Sequence, residues 1–486
     1  MPSPLRLTPT LGRALALGAV FAPGPGVASG LDSPAIGSLL SGPLTVDPAA
    51  VYHNPGALGF QRAPAVLVGA GLVIGGVEVV RERRGTYQSP ETLRFQTPVP
   101  EADLEPELTG RADAAGATPV APLGDAFFTA GLGGSGVTLG LGAYAPYAAL
   151  ADFPDDGAQR FAVQDATIIV GHLTAAVGVK ANEHFGLGAG LSYVVGTAAI
   201  SKVQDFGALS DFGDGLARPP VSQPNGFGPD APTELRELDV LARPVSLKDA
   251  TAHGVTFHLG AYVRPAPEWD LAMTYQHGAT LDFEGRFTLD MDDDFFTGDL
   301  AHVGLQYAPR VEGDATVNFR LPMRIGLAAG YTPTRDLRFE LRGQYVTWSD
   351  LDAMRIELRS PELAQPALGL PPYSEVALPR RWQDTVSIAA FGRFAVSRAF
   401  ALLGLLGYDS PASPDATIDA SSPDGHRLTF GLGAQYSLTQ HTSLVGDARL
   451  ATLLPREVTG SDHDLGNGTY SLTLAALAAH LQVKFP

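Results

Sequence analysis

Few residues in this chain are placed to do chemistry. Three consecutive carboxylates, Asp292, Asp293 and Asp294, offer oxygens to a divalent cation such as one bridging lipopolysaccharide at an outer rim. A calcium site needs several well-placed oxygens, and a solvated acidic loop needs none. His253 and His258 lie five apart, so on a strand they point to opposite faces and do not share a metal. GLGGSG, Gly131 to Gly136, has the spacing of a dinucleotide loop, but the strand-like VTLGLG follows where that motif requires a helix. No arrangement of Ser, His and Asp suited to hydrolysis stands out, and the absence of cysteine removes thiolate chemistry and disulfides. The expectation is a chain that is not an enzyme and holds no metal or cofactor. What remains is a row that binds: Arg338, Glu340 and Arg342, on alternate positions of LRFELRGQYVTW. A guanidinium suits the carboxylate head group of a ligand. It suits a salt-bridge ladder with Glu340 or Asp447 equally well.

The elements that position this row decide which way it faces. Leu337, Phe339 and Leu341 alternate with the charges, as on a strand with one greasy and one charged face. After Gln61 the strand signals recur about fourteen times, near 65–80, 125–133, 137–146, 164–180, 184–204, 251–264, 269–289, 316–331, 336–358, 382–396, 399–409, 426–438, 441–452 and 469–485. Every second connection is tiny, such as Ala181-Asn182-Glu183, Pro265-Ala266-Pro267 and Thr439-Gln440. The others are long and rich in Pro, Gly and Asp. A soluble sandwich has no reason to sort its loops this way, whereas an outer-membrane barrel has short periplasmic turns, long external loops and an even strand number. The last strand alternates Leu477, Ala479, Leu481, Val483 and Phe485 with Ala478, His480, Gln482 and Lys484. Its terminal aromatic is a handle for the barrel assembly machinery, although Pro486 follows it. The expected fold is therefore an all-β membrane protein, a 14-stranded antiparallel barrel, with Arg338, Glu340 and Arg342 in the lumen and Leu337, Phe339 and Leu341 toward lipid.

Composition agrees. Only 17% of residues are charged and 45% are hydrophobic, yet past the first thirty residues no apolar run approaches the roughly 18 residues that a spanning helix needs. A net charge of −18 argues against a nucleic-acid partner. Acid concentrates in loop-like segments such as EADLEPEL, Glu101 to Leu108. Arg6 and Arg13, the apolar ALALGAVF and the small residues Val27-Ala28-Ser29 form an export signal over residues 1–29. Residues 30–63 do not alternate and read as a plug, with Asp32 and Asp47 as candidate helix caps; residues 64–486 read as the barrel. Leu39, Val51, Leu58 and Phe60 of the plug need a surface to cover them, and the lumen supplies one. Some inward positions are also apolar: Leu67 and Val73 lie opposite Val66, Val68 and Leu72, and Ile168 and Val170 lie opposite Ile169 and Leu173. A water-filled porin has little use for them. A plug or an apolar substrate does.

Several stretches resemble the FadL-type outer-membrane transporters of long-chain fatty acids and aromatic hydrocarbons. DPAAVYHNPGAL, Asp47 to Leu58, is similar to the family's N-terminal acidic residue followed by Asn-Pro-Ala, with Asn54 and Pro55 matching and Gly56 standing before Ala57. Arg324, Gly326, Trp348 and Ser349 fit a family hairpin; Trp382 to Thr385, Tyr408 to Pro411, Pro423 to Arg427 and Gly468 to Tyr470 follow in the family's order. The resemblance implies a barrel closed by an N-terminal hatch and passive uptake of hydrophobic small molecules, with outer-membrane lipids and lipopolysaccharide as surroundings. It also implies that the ligand shifts the hatch and leaves sideways near the third strand. Gly140 and Gly142, with Pro146 at the strand's end, are candidates for a kink there; packing space for the plug is the other reading of the two glycines. A barrel that docks partner proteins without transport, and a polar-solute porin, stay open as alternatives.

Overall fold

The computed structural model describes residues 33, 35–82, 86–87, 99–100, 114–205, 242–298, 301, 306–366, 369, 371–461 and 466–485. The export signal, Glu101 to Leu108 and Pro486 lie outside them. Fourteen strands form the wall: β1 (Ala65–Arg81), β2 (Val120–Gly131), β3 (Val137–Asp152), β4 (Asp165–Lys180), β5 (Phe185–Asp205), β6 (Ala242–Ala266), β7 (Trp269–Gln276 and Ala279–Asp290), β8 (Arg310–Leu321 and Arg324–Thr334), β9 (Leu337–Val346 and Ala353–Arg359), β10 (Tyr373–Pro379 and Thr385–Ala395), β11 (Phe400–Asp409), β12 (Arg427–Ser437), β13 (Thr442–Leu453) and β14 (Gly468–Lys484). Each pairs antiparallel with its neighbours, and β1 closes on β14 from Ala65↔Lys484 to Arg81↔Gly468. Closure of the last strand on the first leaves no free end strand.

Alternation sets the two surfaces. On β12, Phe430, Leu432 and Tyr436 point outward, Leu432 at 74% exposure, while Gly431 lies inside. Exposed to water, each such side chain would forgo about 1.5–3 kcal/mol of burial, so this surface belongs against hydrocarbon. Aromatic residues mark its limits. Trp269 and Tyr331 pair near the short turns, with centroids 4.7 Å apart. Toward the long loops Tyr193, Tyr275 and Tyr408 bond the Nδ1 atoms of His253, His277 and His426 at 2.8, 3.0 and 2.7 Å. Above them the outer face turns charged, as at Arg286–Asp314 and Arg355–Glu375.

Several strands run further than their alternation suggests. β3 passes through Pro146 to Asp152, β6 begins at Ala242 rather than near 251, and β10 gains Tyr373–Pro379. Above the membrane both faces meet polar surroundings or loops, so the apolar-polar period fades while the hydrogen-bonded ladder continues. β9 breaks at Trp348, which packs edge-on against Trp382 in the apolar cluster under the loops. A second cluster, including Phe153, Val163, Ile418 and Tyr470, adjoins it at the loop end.

Residues 35–61 lie within the barrel. Two short helices, α1 (Ala50–His53) and α2 (Pro55–Leu58), bury Val51, Ala57 and Leu58 against Leu67, Phe127, Tyr144 and Tyr262 of the wall. Asp47 does not cap α1, whose N-cap is Ala49. It sits two residues earlier, where its Oδ1 accepts the Ala49 N–H at 2.8 Å, because Pro48 and Ala49 complete a turn before the helix begins.

Candidate functional site: the lumen and its N-terminal segment

Asn54 is the pivot of the segment. Its Oδ1 accepts the Gly56 N–H at 3.0 Å and so caps α2, with Pro55 in the first turn where no N–H is needed. Its Nδ2 donates to the carbonyls of Pro43 at 2.8 Å and Ala261 at 3.1 Å, which ties two parts of the segment to β6. The backbone comes this close because the wall is bare: Gly178, Gly188 and Gly260 stand in register on β4, β5 and β6. A Cβ on Gly188 would lie 2.3 Å from the Pro55 carbonyl, and one on Gly260 would lie 2.0 Å from Asn54 Oδ1. His258 Nε2 donates to the Val51 carbonyl at 2.8 Å, so the inward histidine of the pair His253 and His258 serves the segment.

Burial sets the charge states of the segment's own acid and base. It pushes the Asp47 carboxyl up to about 6, against hydrogen bonds from Ser41 and from the Ala49 and Ala50 amides. It pushes His53 down to about 4, against a bond to the Ile36 carbonyl at 3.0 Å.

The row Arg338, Glu340 and Arg342 faces inward as part of a longer chain of charges. Asp270 takes Arg264 Nε at 3.0 Å and Arg338 Nη1 at 2.6 Å; Glu340 takes Arg338 Nε at 2.8 Å and Arg342 Nη2 at 2.7 Å. The ladder therefore runs through Glu340 and Asp270. Asp447 pairs instead with Arg449, at 2.8 Å. Arg338 is bonded by carboxylates on both sides, whereas Arg342 also reaches the Ser41 carbonyl at 3.1 Å and borders a cavity.

That cavity encloses about 1080 Å³, part of it continuous with solvent, and is lined by Tyr52, His53, His258, Arg324, Arg342 and Gln344 among others. Its described lining includes two arginines and two histidines and no carboxylate. Arg324 lies 4.8 Å over the Tyr147 ring. A second recess, almost wholly apolar, is lined by Val73, Leu123, Ala149, Phe153 and Leu472 among others. Both spaces reach Ser33, whose N–H donates to the Pro146 carbonyl at 2.9 Å.

The wall is incomplete beside the apolar recess. The β2–β3 register runs from Gly131↔Thr138 to Asp125↔Tyr144 and stops. Above that level β2 pairs with β1 alone, from Gly124↔Ala70 to Val120↔Ile74, and β3 pairs with β4 after a register shift between Tyr144 and Tyr147. Pro146, which has no N–H to give, sits in that shift.

Residues 12–485 match one family model, that of the outer membrane protein transport proteins (OMPP1/FadL/TodX). The chain belongs to this family. It is an outer-membrane barrel of a family of channels for hydrophobic substrates. A Pseudomonas aeruginosa FadL homologue superposes with a TM-score of 0.71 at 18% identity, covering 96% of this chain and 100% of its own. The Ralstonia pickettii toluene transporter TbuX gives 0.60 at 15% identity, with 95% and 99% covered, and the P. putida toluene transporter TodX gives 0.63 at 14%, with 92% and 96% covered. At these identities the likeness is one of fold. No curated protein matches the chain.

The remaining sequence candidates divide by place. Val73 lines the apolar recess, while Leu67 is covered by the segment. Val170 belongs to the cluster under the loops, and Ile168 packs against it. At Gly140 and Gly142 the ladder is regular. Each is paired on both sides, to Thr129 and Ala176 and to Phe127 and Thr174, and a Cβ there would lie 2.3 and 3.0 Å from Val51. They are packing space for the segment. The irregularity lies beyond them, at Pro146. Asp125, Asp270, Arg449 and His480 were not singled out from sequence. Their signal, a polar or charged residue at an inward position between outward small or apolar ones, is present in GDAFF and AAHLQ, but the partners lie on other strands.

Proposed function

We propose that the channel takes up hydrophobic molecules passively, prefers those with a carboxylate head such as long-chain fatty acids, and releases them sideways between β2 and β3 when residues 35–61 move as a hatch. The observation that carries the reading is the junction at Ser33 and Pro146. A cavity with cationic lining and an apolar recess beside a gap in the wall both reach this point, and Ser33, just ahead of the segment, occupies it. Arg324 and Arg342 suit the carboxylate, and Val73, Leu123 and Leu472 suit the tail. Displacing Ser33 would join the two spaces and leave the tail facing the gap.

A second cargo, a neutral monoaromatic hydrocarbon, is favoured by the recess alone, and two solved neighbours are described as toluene transporters. Uptake of labelled fatty acid and of labelled toluene separates the two. Cells without their own transporter should gain acid uptake from this chain, and Arg324→Ala with Arg342→Ala should reduce it far more than toluene uptake. Equal losses for both cargoes would remove the head-group role.

A further inference from the structure

The segment is tied to the wall at a second place, far from Asn54 and made of different chemistry. Asp125 on β2 accepts the Gly37 N–H on its Oδ2 at 2.9 Å. Asp447 on β13 accepts the Leu39 N–H on its Oδ2 at 3.1 Å. His480 on β14 lies between them, its Nε2 3.3 Å from Asp125 and its Nδ1 3.9 Å from Asp447. Arg449 completes the group, donating to Asp447 Oδ1 at 2.8 Å and to the Gly37 carbonyl at 3.2 Å.

The group is built into the closure of the barrel. β13, β14, β1 and β2 are consecutive, and β1, the strand between His480 and Asp125, carries Gly69, in register with both. A Cβ on Gly69 would lie 2.3 Å from the imidazole Cδ2 and 2.8 Å from Asp125 Oδ1. The imidazole thus occupies the space that a side chain on β1 would take, and it bridges the seam where first and last strands meet. The side chains of Asp125, Asp447 and His480 are 5, 1 and 2% exposed. Buried carboxylates are costly unless paired and fully hydrogen-bonded. Here Arg449 and the His480 imidazole on the wall supply part of that pairing, and the segment's amides at Gly37 and Leu39 add to it.

We propose that Asp125, Asp447 and His480 form a catch that holds the N-terminal segment closed by its backbone at Gly37 and Leu39, and that loss of the carboxylate charges frees this part of the segment from a barrel that stays folded. The proposal rests on the reading of residues 35–61 as a movable hatch. The catch grips main-chain N–H groups, so it depends on the position of the segment and not on its side chains. It also accounts for two inward carboxylates that border neither cavity.

The absence of cysteine makes the test direct. Ser38 is 3% exposed and lies between the two gripped amides, so Ser38→Cys gives a single reporter. The rate of its reaction with a hydrophilic maleimide is measured on the purified, refolded barrel, with gel mobility before and after heating as the check on folding. The expected result is a rate at least tenfold higher in Asp125→Asn/Asp447→Asn, a smaller rise in His480→Gln, and no change in Asp409→Asn, which breaks an ion pair to Arg427 elsewhere on the wall. An unchanged rate in the folded double variant overturns the catch, as does an equal rise in Asp409→Asn. If the double variant does not fold, Asp125→Asn alone, which weakens the grip on the Gly37 N–H and leaves the Asp447–Arg449 pair intact, is held to the same tenfold criterion. Fatty-acid uptake measured beside the labelling separates the two ideas. Faster labelling with unaltered uptake keeps the catch and sinks the hatch; slow labelling with uptake altered by deletion of residues 33–59 keeps the hatch and sinks the catch.

Discussion

Replacing Asn54 with Ala should loosen the segment more than any other single change in it. The substitution leaves the Gly56 N–H without its cap and the carbonyls of Pro43 and Ala261 without a donor, in a place where the native side chain is fully buried. Each lost hydrogen bond costs about 1 kcal/mol net, and buried groups left unsatisfied cost more. Three together come to about 3 kcal/mol, a change on the order of a hundredfold in the local opening equilibrium. The wall loses one acceptor contact to β6 and none of its ladder, so the barrel itself should persist. Hydrogen exchange followed by mass spectrometry reads the opening directly. Amides of residues 50–60 should lose about two orders of magnitude of protection while those of β4, β5 and β6 keep theirs. A loss of less than threefold in the segment would refute the pivot role, and an equal loss in the strands would show that the segment and the barrel open together.

Three further outcomes follow. Asp47 and His53 should offset one another in pH. The raised carboxyl stabilises the docked segment below its ordinary value near 3.8 and loses that contribution as pH rises through about 6; the lowered imidazole stabilises docking above about 6.5 and loses it as pH falls through about 4. Each is worth about 3 kcal/mol at its limit, so Asp47→Asn should open more readily at pH 5 than at pH 7, and His53→Gln the reverse, in planar-bilayer conductance; one shared trend in both variants would contradict the assignment. Val at both Gly140 and Gly142 should push Val51 off the wall and raise ion conductance, and a tight, silent channel would contradict that packing. Ala149→Trp should fill the apolar recess and reduce uptake in a folded barrel, and normal uptake would remove the recess from the route.

The barrel was legible because a strand's sidedness is local. The alternation of Arg338, Glu340 and Arg342 with Phe339 and Leu341 needs no partner to be read, and the loop lengths report the two ends of the barrel. Strand limits were less legible above the membrane, where β6 and β10 lengthen on polar sequence. Gly140 and Gly142 suited either a kink or close packing, and only the position of Val51 decides between them. A register shift lies at Pro146, read from sequence as the strand's end, because a bulge lets the ladder pass a residue with no N–H. The meeting of Asp125, His480 and Asp447 was hidden for a different reason. They meet across the closure of the barrel, up to 355 positions apart in sequence, and register between first and last strands has no local signature.

The most direct test of gated uptake is entry of labelled long-chain fatty acid into cells that lack their own transporter and express this chain, either intact or without residues 33–59. The account predicts uptake by the intact form and a clear change on deletion, with both forms inserted in the outer membrane. No uptake by the inserted intact form, or uptake that the deletion leaves unaltered, would contradict it.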